Sequence, residues 1–342
     1  NLIEYDFIDP SSLENQDYKI ALQQELFQKG ISPIPHRNYQ NNKLEETWVF
    51  PGITVSYKSK ETIIPLIEET LMNNPNEVIK SSIEKLEYLF ANAIRKLTSS
   101  KKVIGILNNN LLEKENLFFS FQELISEHYK LIEIPPINGK LNALQDIECL
   151  ILNNPISHFT EKDKFIIDQF IMSGKKSIWI ISGTNASMDS LETKSQAIFL
   201  PIEKRNLSDL LFKYGVRINQ NLIQDIQAAP IPIITHFIDD KPQWDFFPWT
   251  FFPVLNSPMN HLITKNINPV KSIFPNSIDL INNNIKKTIL LETTNNTKII
   301  PTPALVNLEE LKQKPKEKLF NSGNKNIAVL LEGVFESVFK NR

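Results

Sequence analysis

The sequence predicts an α/β protein of two domains, residues 1–98 and 99–342. Three observations lead there. The first domain alternates strand and helix signals in the order β, α, β, β, α. After residue 99 continuously apolar runs alternate with helical patterns, which is how a parallel sheet covered on both faces reads. Between about 190 and 285 that alternation stops, so this region is expected to be an insertion that caps the sheet.

In the first domain, LIEYDFID reads as a strand that ends at Asp9-Pro10, because proline cannot continue a ladder. DYKIALQQELFQKG places Ile20, Leu22, Leu26 and Phe27 near helical spacing and closes on Gly30, a C-cap residue. TWVFPGITVSY and KETIIPLI read as two strands joined by a turn at residues 58–60. In NPNEVIKSSIEKLEYLFANAIRKLT, residues Ile83, Leu86, Leu89, Phe90, Ala93, Ile94 and Leu97 form one apolar stripe. Arg95 and Lys96 sit in its last turn, where the helix dipole favours cations. This order is that of a thioredoxin-like domain lacking its first strand and helix. The redox chemistry of that fold needs a C-x-x-C pair, which the chain does not have.

The polar TSSKK marks the linker. KVIGIL, KLIEIPP, CLILNNP and SIWIIS then read as buried strands, separated by the helices ENLFFSFQELISEHY and TEKDKFIIDQFIMSG. The second helix carries a capping-box pattern, Thr160 with Asp163, and stops at Gly174. A doubly wound sheet with right-handed crossovers follows. The insertion holds DLLFKYGVRIN, the proline-rich QAAPIPI, the aromatic QWDFFPWTFFPVLN and SPMNHLITKNI. The sheet pattern is expected to return in KKTILLETT and NIAVLLEGVF.

Composition narrows the function. The 41% hydrophobic and 22% charged content is that of a globular protein, and the net charge of -2, spread along the chain, offers no basic face to nucleic acid. Cys149 is the one cysteine and has no partner for an internal disulfide. No apolar run approaches the roughly 18 residues of a spanning helix. The chain opens without Met or a leader, so it reads as a fragment of a longer protein. Neither G-x-G-x-x-G nor G-x-x-x-x-G-K-[ST] occurs. The five histidines lack metal-ligand spacing, Cys149 lies at the start of a strand, and Ser182 lacks the small neighbours of a nucleophile elbow. The pairs Glu45-Glu46, Glu68-Glu69, Asp239-Asp240 and Glu309-Glu310 are adjacent, and adjacent residues do not share a face. No catalytic constellation, metal site or cofactor is therefore expected.

Two regions remain as candidate sites. Ligands of doubly wound sheets sit at the carboxyl ends of the strands, which here carry Asn108, Asn153, Ser182 and Asn185 with their Asn neighbours. Such groups make a polar cleft or plain Asn-rich turns. The second region is the run Trp244, Phe246, Phe247, Trp249, Phe251 and Phe252. Pro248 and Pro253 argue against one continuous strand or helix through it, so it reads as a loop. Core, protein interface and ligand wall are all open to it, and as an interface its anchors are Trp244 and Trp249.

IEYDFIDP, FPGITVSYKSKETIIPL, SSIEKLEYLFANAIRKLT, LNALQDIECLIL, EKDKFIIDQFIMSGK, NASMDSL, DLLFKYGVRIN, FFPWTFFPVLN, NIAVLLEG and VFKNR resemble, in the same order, the gliding-motility-associated GldG family of Bacteroidetes. These are auxiliary, substrate-binding-like subunits of ABC transporters. The resemblance implies a domain on the periplasmic side of the inner membrane, anchored by helices outside this fragment. Its implied partners are a permease, through it a cytoplasmic ATPase, and other gliding or envelope proteins. It also implies a second domain similar to class I amidotransferase-like sheets, whose catalytic Cys and His have no matching positions here. A carbohydrate-binding or carbohydrate- or amide-processing domain is the alternative.

Overall fold

A computed structural model describes residues 3–10, 12–40, 43–67, 75–107, 115–155, 157–192, 195–238 and 241–340. Asn108, Asn109, Asn110, Glu68-Glu69 and Asp239-Asp240 lie outside them. The chain divides into two compact units, Asn1–Lys101 and Lys102–Arg342.

The first unit runs α1 (Gln16–Gln28), β1 (Ile34–Gln40), β2 (Lys43–Val49), β3 (Gly52–Tyr57), β4 (Lys60–Pro65) and α2 (Pro75–Thr98). Asn15 caps α1 by accepting from the amides of Asp17 and Tyr18. Gly30 follows the helix at φ 95°, a conformation that only glycine adopts freely. Three expectations change here. Residues 3–9 form no strand. TWVFPGITVSY is divided at Phe50-Pro51 between two antiparallel hairpins, β1 with β2 and β3 with β4, and the β1 segment IPHRNYQ carried no clear strand signal. The described order is therefore α, β, β, β, β, α, and the thioredoxin-like order does not form. The stripe of α2 is also only partly used. Ala93 and Leu97 are buried with Ile64 of β4, while Ile83, Phe90 and Ile94 stay exposed.

The second unit begins with β5 (Lys102–Leu107), α3 (Glu115–Ser126), β6 (Tyr129–Ile134), β7 (Cys149–Asn153), α4 (Glu161–Met172) and β8 (Lys176–Ile180). The four strands are parallel in the order β6-β5-β7-β8. Alternation along β5 and β7 sends residues to two cores. Leu107, Leu150 and Leu152 pack with Ile166, Ile167 and Phe170 of α4, and Ile104, Ile106 and Ile151 pack with Phe121 and Ile125 of α3. Gly105 lets this packing close, because a Cβ there would lie 2.7 Å from Ile134 Cγ1. The capping box forms as the sequence predicts. Asp163 N donates to Thr160 Oγ1, and Thr160 N donates to Asp163 Oδ2.

The rest is mostly antiparallel: α5 (Asp189–Glu192), β9 (Gln196–Phe199), α6 (Ser208–Tyr214), β10 (Val216–Ile218), β11 (Asn221–Asp225), β12 (Ala228–Ile238), β13 (Lys241–Leu255), β14 (Val270–Lys271), β15 (Ile278–Leu280), β16 (Lys286–Glu292), β17 (Thr297–Pro301), β18 (Ala304–Asn307) and β19 (Asn326–Glu332). β9 pairs with β18 and β11 with β17, so strands inside residues 190–285 are completed by strands beyond them. KKTILLETT and NIAVLLEG do not rejoin the parallel sheet. They pair with each other as β16 and β19. A separate aromatic core sits here, with Trp249, Phe251, Phe252, Phe199 and Phe274 in contact at centroid separations from 5.1 to 5.9 Å. Phe274 holds φ 48°, an unfavourable conformation for a bulky residue, and its ring touches the other four. Each good ring pair contributes roughly 0.5–1.5 kcal/mol beyond area burial, enough to offset that strain.

Candidate functional site

The strand-end residues are occupied with one another. Asn153 is the last residue of β7 and pairs with Ile180 of β8. Beyond it, Asn154 Oδ1 accepts from Ser182 N at 3.0 Å and from Arg205 Nη2 at 2.7 Å, and the Ser182 carbonyl accepts from Arg205 Nη1. The Arg205 side chain is buried. Next to this group, Gly183 N donates to Asn276 Oδ1 at 2.7 Å, and Asn276 Nδ2 donates to the Asn221 carbonyl. Asn185 Oδ1 accepts from Leu200 N at 2.7 Å, which fixes the segment after β9. A partly buried polar knot thus stands where the sequence suggests a cleft. It joins the parallel sheet to the antiparallel part, and its hydrogen bonds satisfy groups that would be costly to leave unmade. Arg205 and Asn276 escaped sequence reasoning because Arg205 lies 51 residues from Asn154, and Asn276 lies 93 residues from Gly183. No local pattern announces such contacts.

Cys149 packs beside Ile104 and Ile151, and burial pushes its thiol up, so it stays protonated at neutral pH. Among the described residues no hydrogen bond joins the Ser182 hydroxyl to a histidine or a carboxylate. No group of three or more His, Cys, Asp or Glu among them could hold a metal ion.

The aromatic run is one strand. β13 extends over 15 residues and pairs with β12 along a hairpin, against the expectation of a loop. Pro248 is tolerated because it stands opposite Pro230 and because β14 pairs only with Val254 and Leu255, so β13 has β12 alone as its paired strand at residue 248. The run then splits in two. Trp249 is 2% exposed and Phe251 and Phe252 are equally buried, which removes them as contact anchors and assigns them to the core. Trp244 is 52% and Phe246 68% exposed, with Phe247 half-buried between them and the core.

Pairing shows what Trp244 and Phe246 belong to. Residues opposite each other in an antiparallel pair share a face, and so do alternate residues of one strand. From Pro230 to Ile234 the register is Pro230 with Pro248, Pro232 with Phe246 and Ile234 with Trp244. These six residues form one face of the hairpin, all are apolar and all are exposed. The opposite face carries Ile231 and Ile233, which pack into the aromatic core. QAAPIPI supplies half of the outer face, although the sequence marked it only as proline-rich. With proline at 230 and 232 the outer edge of β12 lacks two donors, so the hairpin is poorly suited to accept an added strand. It presents side chains instead.

Among the described residues no helix is long and apolar enough to cross a membrane. An uncharacterized protein of Borreliella burgdorferi is 26% identical over 309 residues, covering 88% of this chain and 56% of that protein. The chain therefore spans little more than half the length of this relative. Two solved structures show distant likeness. The mmIFT52 N-terminal domain has a TM-score of 0.38 at 13% identity, covering 56% of this chain and 72% of its own. A putative ThuA-like protein from Bacteroides uniformis has 0.36 at 12%, covering 67% and 76%. Both scores are too low to carry an argument about fold or function. The family comparison reaches further, since the model of the ABC-type uncharacterized transport system, an auxiliary ABC transport component, matches residues 101–342, and the chain belongs to that family.

Proposed function

We propose that this chain is the periplasmic, non-catalytic part of an ABC transporter auxiliary subunit of the gliding-motility type, held at the bacterial inner membrane by segments outside residues 1–342. On this reading the second unit, whose parallel sheet runs β6-β5-β7-β8, would be a class I amidotransferase-like domain put to binding instead of catalysis. The observation that carries the reading is the outer face of the β12–β13 hairpin. Six exposed apolar residues on one side of a rigid, core-anchored hairpin have the composition of an interface centre. The occupant we assign to it is the permease subunit of the same transport system, through which the chain would act on a cytoplasmic ATPase.

The test is co-purification of the membrane-anchored full-length protein with its permease, comparing wild type with a Trp244→Ala, Phe246→Ala double variant. Truncating two interface anchors should cost more than about 2 kcal/mol and so at least about tenfold in recovered permease, while the melting temperature stays within about a degree of wild type. Undiminished recovery from a folded variant would remove the hairpin from the interface.

A further inference from the structure

Beyond the hairpin the chain forms a second feature. Residues 257–269 leave the end of β13 and return to β14 around an open hollow of about 400 Å³, the size class of small-ligand sites. Its floor is apolar and fixed, with Leu255 buried and Leu291 supplied by β16. The loop ties itself in place. Ser257 Oγ and Thr264 Oγ1 are 2.7 Å apart, Ser257 Oγ donates to the Met259 carbonyl, and the amides of Thr264 and Lys265 both donate to the His261 carbonyl. Asn266, at φ 64°, makes the turn back toward β14.

The rim presents its polar groups to solvent. Asn256, Asn260, Asn266 and Asn268 line the hollow, the last three exposed, and among the described residues no other protein group engages their four carboxamides, which leaves them available to a ligand. Asparagine in turns ordinarily bonds to its own local backbone, and the strand-end Asn154, Asn185 and Asn276 are all engaged in that manner or across the fold. The one charged lining residue among those described is Lys265, without a carboxylate in ion-pair range. Met259 and Ile267 add exposed apolar surface between these polar groups.

We infer that this hollow binds a small polyhydroxylated ligand carrying one anionic group, an acidic sugar. A carboxamide both donates and accepts, which matches a hydroxyl pair. Lys265 matches a single carboxylate, and Met259 and Ile267 match the apolar face of a pyranose ring. The inference does not depend on the docking role of the hairpin, because binding to the isolated chain needs no permease.

The experiment is NMR titration of the folded chain, following the side-chain amide signals of Asn260, Asn266 and Asn268. The probes are cellobiouronic acid, neutral cellobiose and sodium acetate. Cellobiouronic acid should shift these signals at millimolar concentration and bind about tenfold more tightly than cellobiose, the preference expected of one added charge contact. Lys265→Gln should bring the two disaccharides to equal affinity. Asn260→Ala with Asn268→Ala should abolish both while leaving the melting temperature unchanged, since both residues are exposed. Three results overturn the inference: no shift with either disaccharide, an acid preference that survives Lys265→Gln, or acetate binding as well as the acidic disaccharide.

Discussion

Two buried carboxylates show how single residues hold the second unit together. Burial alone would raise the pKa of Asp163, but the Gly139 amide at 2.8 Å and the hydroxyl and amide of Thr160 hold it below the ordinary carboxylate value of 3.8. A depressed folded-state pKa means stability that is present above 3.8 and lost as pH falls through the lower folded value. Asp163→Ala should therefore lower the unfolding free energy at pH 7, with the gap to wild type narrowing as pH falls below 3.8, as urea melts on both sides of that pH would show. Asp168 is wholly buried. It accepts from Tyr214 Oη at 2.8 Å, Ser337 Oγ at 2.6 Å and Val338 N at 3.0 Å, so it joins α4 and α6 to the C-terminal segment. The same carboxylate, after the larger effect of burial, pushes the Tyr214 phenol up. Asp168→Ala leaves the buried Tyr214 hydroxyl without its acceptor, at about 1–3 kcal/mol, and releases the part-buried donors Gln169 Nε2, Ser337 Oγ and Val338 N. The expected loss is at least about 1 kcal/mol, together with faster amide exchange around Val338.

At the scale of elements, the hairpin separates stability from contact within one run of sequence. Trp249→Ala removes a ring in contact with Phe251, Phe252 and Phe274 and should cost roughly 3–5 kcal/mol. Trp244→Ala and Phe246→Ala should each change stability by less than about 0.5 kcal/mol. Equal losses at Trp244 and Trp249 would mean that the outer face is packed, not presented. The same element explains what could be read from sequence. The central β5 and β7 were legible because strands buried on both faces read as continuous apolar runs, the edge strands β6 and β8 because their runs are apolar although β8 leaves Ile178 and Ile180 exposed, and α4 because Thr160 and Asp163 cap it locally. β13 was not. Its outer half exposes one face, its inner half buries Phe251 and Phe252 on opposite faces, and so no single period spans it. Its prolines seemed to forbid a strand only because an outer partner lined with prolines, β12, could not be foreseen. The pairings of β9 with β18 and β11 with β17 join segments of four or five residues far apart in sequence, too short for a periodic signal. Of the candidate sites, the exposed Trp244 and Phe246 could be picked out by composition, whereas the polar knot around Arg205 depended on contacts between distant segments.

For the molecule as a whole, the two units differ in what they contribute. The family match starts at residue 101, and the division between units falls at Lys101 and Lys102. The polar knot, the hairpin and the hollow all lie in the second unit, which contains both the parallel sheet and the antiparallel strands that complete it. Asp168 further closes this unit by binding Val338, near the far end of its sequence. A unit with its own cores and its own long-range closure should fold without the first. Residues 102–342 produced alone should therefore melt in one cooperative transition. In the proposed role they should also still capture the permease when tethered to the membrane, and show the same sugar response as the whole chain. The first unit, by contrast, leaves Ile83, Phe90 and Ile94 of α2 exposed and should give a broad, low-temperature transition by itself. If calorimetry of the whole chain showed one transition, and residues 102–342 alone showed none, the two units would have to be a single cooperative structure. The functional surfaces of the second would then depend on the first.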